Sequence, residues 1–141
     1  MAYINSIENL DYLFFSVKIK LNRKEYRDMC TKNQLTYISQ QVARTAKAVL
    51  GDRYNCTLLY GSYARGDYAA ESDIDIMVLA DVSREELSKY KKPIMMLTSE
   101  LGLEHDIVIT VTLKDSETFN RYLGAVPFYD SVKKEGIQIA V

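Results

Sequence analysis

From Lys32 to Leu50, apolar side chains recur at Leu35, Ile38, Val42, Ala46 and Val49, in steps of three and four. That spacing predicts an amphipathic helix with one apolar stripe, and Gly51 can terminate it. The period then shortens. Cys56 to Tyr60 is a short apolar run ending at Gly61-Ser62, and Ile74 to Leu79 is a second run rich in branched residues. These predict two strands flanking a turn and a short helix that starts at Ser62 and reaches about Arg65.

Leu87, Tyr90, Ile94, Leu97 and Leu101 return to helical spacing, but Pro93 removes a hydrogen bond among them, predicting a kink or two abutting helices. Asp106 to Val111 predicts a third strand. Ser116 to Lys134 predicts helix broken or kinked near Pro127, and Ile137 to Val141, after Gly136, predicts a last short strand. Before all of these, Phe15, Val17, Ile19 and Leu21 alternate with Ser16, Lys18 and Lys20, as in an edge strand, and a charged run follows from Asn22 to Asp28. The fold class expected is α/β (α+β), a small mixed sheet packed by helices. The division expected is an N-terminal extension, 1–28, and one domain, 29–141.

Composition narrows the partners. The chain has 141 residues, 48% of them hydrophobic and 26% charged, which suits a single core. A formal net charge of -1 argues against a broad basic face tracking a nucleic-acid backbone. Cys30 and Cys56 lack metal-site spacing and are read as unpaired thiols in a reducing compartment. With no signal-like or membrane-length apolar segment, the expected location is the cytoplasm.

Chemistry concentrates between residues 61 and 75. In Asp73-Ile74-Asp75-Ile76, strand alternation puts both carboxylates on one face and both isoleucines on the other. Two close carboxylates repel, and their hard oxygens select Mg²⁺ or Mn²⁺ as the natural counter-charge. Gly61-Ser62 lies where a strand gives way to a helix, so free backbone N–H groups and a hydroxyl would face an anion. Arg65, one turn on, can add positive charge toward phosphate oxygens.

Other features read as ordinary. An EF-hand fails because Val78 and Arg84 stand where the turn glycine and the bidentate glutamate belong. His105, adjacent to Asp106, would point to the opposite sheet face and is read as structural. Arg65-Gly66-Asp67 is a coincidental adhesion tripeptide, the eleven tyrosines are packing and rim residues, and Lys18, Lys20, Arg23, Lys24 and Arg27 form a solvated face.

Gly61-Ser62-Tyr63-Ala64-Arg65-Gly66-Asp67 followed by Ser72-Asp73-Ile74-Asp75 resembles the signature of the polymerase-beta-like nucleotidyltransferase superfamily, in its minimal antitoxin-type branch. Looser similarity runs from about Met29 to the C-terminus and includes Lys134-Glu135-Gly136-Ile137. The resemblance implies that Gly61, Ser62, Arg65 and Ser72 bind the nucleotide. It also implies that Asp73, Asp75 and a later-strand carboxylate, best matched by Asp106 with Glu104 as substitute, are catalytic and hold two Mg²⁺ ions. The reaction implied moves AMP from ATP onto a hydroxyl, with a HEPN-type toxin as the expected protein partner. Two alternatives stand beside it: a non-catalytic antitoxin-like binding module, and an aminoglycoside-type enzyme whose acceptor surface a homo-oligomer would supply. Residues 1–28 match nothing in the family, so Met29 is a plausible start and deletion of the extension is expected to leave an ATP-binding protein.

Overall fold

A computed structural model describes residues 30–141. The alternating stretch Phe15 to Leu21, the basic cluster around it and the extension 1–28 lie outside the described residues. Helix α1, Lys32–Leu50, opens on a capping box: the Thr31 side chain accepts from the Gln34 N–H, and the Gln34 side chain accepts from the Thr31 N–H. Gly51, at φ 55°, ends it in a conformation that favours glycine. Ile38, Val42, Ala46 and Leu50 are its buried stripe.

After a 3₁₀ turn over Gly51–Arg53, strand β1 runs from Tyr54 to Tyr60, helix α2 from Gly61 to Arg65 and strand β2 from Ile74 to Ala80. Helix α3, Ser88–His105, is one continuous helix that includes Pro93, not two abutting ones. The proline sits on the exposed side, while Ile94, Thr98 and Leu101 are buried on the other and hold the helix down. Strand β3 is Ile109–Asp115, helix α4 Ser116–Arg121, helix α5 Pro127–Glu135 and strand β4 Ile137–Gln138. Pro127 opens α5 at a position where no intrahelical N–H is needed. The last strand is shorter than the predicted Ile137–Val141.

The sheet order is β3-β2-β1-β4; β1 is antiparallel to β2 and β4, while β2 and β3 are parallel, joined by α3. This small mixed sheet packed by helices agrees with the fold class expected. One face is fully covered: Leu59, Ile74, Ile76, Val78, Ile109, Val111 and Leu113 pack with the stripes of α1 and α3. On the other face, Met77 and Leu79 pack with Phe119 of α4 and Val132 of α5, and Cys56, Leu58, Tyr60 and Tyr129 border them. That cover stops short of the first residues of β2, and the gap is where Asp75 lies. Among the described residues, no helix is long and apolar enough to cross a membrane.

Candidate active site

Asp75 belongs to β2 and pairs with Tyr60 of β1 on one side and Thr110 of β3 on the other. Residues directly opposite each other share a sheet face, so all three point to the partly covered side. Ile74 and Ile76 point to the other side and are fully buried, which fixes the register: a one-residue slip would bury the carboxylate and expose both isoleucines. Asp73 precedes β2 and is exposed.

The turn from β1 into α2 meets this carboxylate directly. Gly61 has φ 73°, and a Cβ on it would collide with Asp75 Oδ2 and sit 3.2 Å from Cγ. Only glycine allows both the backbone turn and the close approach. Tyr63, the buried residue of α2, stacks on Tyr68 with ring centroids 4.4 Å apart and anchors the helix. Burial, with Cys30 nearby, pushes its phenol up to about 12. Cys30 and Cys56 are both unpaired and half-buried, as their spacing predicted.

A cleft of about 340 Å³ joins Gly61, Ser62, Arg65 and Asp75 to Tyr60 and to Phe128, Ser131, Val132 and Glu135. Burial holds the Asp75 carboxyl above the usual carboxylate range; the neighbouring Asp73 adds to this and Arg65 opposes it. Two carboxylates so placed have the chemistry of a divalent-cation site, since a cation relieves both the repulsion and the desolvation.

The remaining expected residues are placed differently. Arg65 lines the cleft, yet its guanidinium donates to Asp67 and to Glu135, each at 3.1 Å. Its resting role is thus to tie α2 to the end of α5. The Ser72 hydroxyl accepts from the Ala69 N–H at 2.8 Å and closes the loop ahead of Asp73.

Asp106 requires a correction. It does not open a strand but caps α3 in the left-handed region, φ 50° and ψ 47°, with its N–H donating to the Gly102 carbonyl. It lines a separate groove with Thr98, Ser99, Gly102, Leu103 and Val108. The reason is that α3 continues through His105, so residues 106–108 are spent turning from helix to strand. Glu104 and His105 are accordingly helical, and the His105 ring packs near Tyr37, with centroids 5.8 Å apart. Among the described residues, no three His, Cys, Asp or Glu side chains are grouped to hold a metal. The sequence reading also missed Tyr60, Phe128, Ser131 and Val132. Glu135 alone had a signal, in Lys134-Glu135-Gly136-Ile137.

A family model described as a nucleotidyltransferase domain matches residues 57–137, more than half of the chain and the whole of this cleft. The chain belongs to the nucleotidyltransferase family. Two Methanocaldococcus jannaschii relatives of this nucleotidyltransferase are provisionally named protein adenylyltransferases. One is 30% identical over 111 residues, covering 75% of this chain and 99% of the relative. The other is 32% identical over 97 residues, covering 69% and 89%. A solved toxin–antitoxin structure with AMP-PNP shares 21% identity over 69% of this chain and 71% of that chain, with a TM-score of 0.40.

Proposed function

We propose that this nucleotidyltransferase transfers AMP from ATP to a hydroxyl of a protein acceptor, and that Asp73 and Asp75 hold Mg²⁺ while Gly61 and Ser62 hold the triphosphate. The observation that carries the reading is the packing of Gly61 on Asp75, which leaves no room for a side chain between the turn and the carboxylate. A phosphate held at the turn would therefore lie beside Asp75. The names of the M. jannaschii relatives support ATP and a protein as the two substrates.

In this reaction the acceptor oxygen bonds to the α-phosphorus as the bond to pyrophosphate breaks, and the acceptor's proton is lost to solvent. Bound Mg²⁺ supplies charge neutralisation at the phosphoryl oxygens. The chain's own work is positional. Backbone N–H groups at Gly61-Ser62 and the Ser62 hydroxyl grip the phosphates, and Arg65, through Glu135, keeps α2 in place. A HEPN-type toxin remains the proposed acceptor, on the resemblance of residues 61–75 alone.

The test is incubation with Mg²⁺, α-labelled ATP and cell lysate. Asp73→Ala and Asp75→Ala should each lower labelling of an acceptor protein by about 10² to 10³-fold or more, with unchanged far-UV circular dichroism. Full labelling by both variants would remove the carboxylates from the mechanism. Complete neutralisation of a toxin partner by the double variant would favour the contact-only alternative.

A further inference from the structure

The register of β2 on β3 places Thr110 directly beside Asp75, on the same face and exposed. Its neighbours in sequence, Ile109 and Val111, belong to the core on the other side, so a one-residue slip of β3 would bury the Thr110 side chain and expose both apolar ones. The next residue on the site face, Thr112, is again a hydroxyl. The nearest upstream carboxylate, Asp106, is committed to the α3 cap and a different groove.

We infer that Thr110, rather than a carboxylate, forms the third corner of the site, so that this chain holds one divalent cation firmly and leaves the acceptor-side position weakly held. This rests on the proposed roles of Asp73 and Asp75. A neutral hydroxyl is a far poorer ligand for a hard cation than a carboxylate, and each added carboxylate raises affinity through its charge. A second cation then enters the site only with ligands that the acceptor brings. The site couples completion of its metal set to arrival of the acceptor, which limits idle hydrolysis of the nucleotide.

The experiment counts tightly bound Mn²⁺ by electron paramagnetic resonance on the full chain with a non-hydrolysable ATP analogue and no acceptor. Wild type should hold one ion. Thr110→Asp, with Thr110→Glu as a second variant should the first fold poorly, should hold two, and Thr110→Val and Asp106→Ala should each stay at one. Two tight ions in the wild type, or one in both acidic variants, would overturn the inference while leaving the Asp73 and Asp75 assignment intact. Loss of an ion in Asp106→Ala would return the third corner to that residue. Retention of the wild-type ion by the Asp73/Asp75 double alanine variant would sink the underlying assignment instead.

Discussion

Met77 and Asp75 are two residues apart on one strand and point to the same face, yet one is fully buried under α4 and α5 and the other opens into the cleft. The covered half of this face is held by shape: Met77 and Leu79 pack with Phe119 and Val132. The open half is held by its surroundings: Ile74 and Ile76 pin the strand from behind, and Gly61 closes on the carboxylate from the side. A functional group on a small sheet thus needs no stability of its own. It borrows its position from a core that lies one residue away along the chain.

Substitutions should separate the two halves, the largest stability effect falling on the covered one. Met77→Ala removes a fully buried side chain and should cost about 2 to 5 kcal/mol, read as a shift of the urea midpoint. A cost near zero would mean that α4 and α5 rest on the sheet without packing on it.

A smaller effect is expected where the covered half is tied off. Asp115 ends β3 and caps α4, its Oδ2 accepting from the Thr118 N–H at 2.8 Å. Burial works to raise this carboxyl, but the hydrogen bonds from Thr118 and the charge of Lys114 outweigh it and hold the group below the usual range. A carboxyl lowered in the folded state binds its proton more readily unfolded. Its stabilisation is therefore present above the ordinary carboxylate pKa and is lost as pH falls through the lowered value. Asp115→Ala should cost about 1 kcal/mol at neutral pH, and the gap to wild type should narrow steadily below about pH 4. A gap independent of pH would assign the loss to packing.

Much of this was legible locally. The apolar stripe of α1, the alternation in Asp73-Ile74-Asp75-Ile76 and the break at Pro127 each act within a few residues, and all reappear in the fold. What could not be read depends on distant partners. Arg65 meets Glu135 across 70 positions of sequence, and nothing near Arg65 tells whether it will face phosphate or a carboxylate. The pairing of Thr110 with Asp75 is set by where α3 delivers the chain, and that shifted because the helix ran to His105 and Asp106 became its cap. The branched run from Ile107 to Ile109 suggested a strand opening at Asp106, and a left-handed cap at a non-glycine residue leaves little local trace.

Parallel incubations with ATP labelled at the α- or the γ-phosphate, in the presence of Mg²⁺ and the acceptor fraction of a lysate, test the assignment of the open half most directly. The acceptor should take up the α-label only, with release of pyrophosphate, and uptake should vanish in the Asp73/Asp75 double alanine variant. Transfer of the γ-label, or α-labelling that survives in the double variant, would contradict nucleotidyl transfer at this cleft.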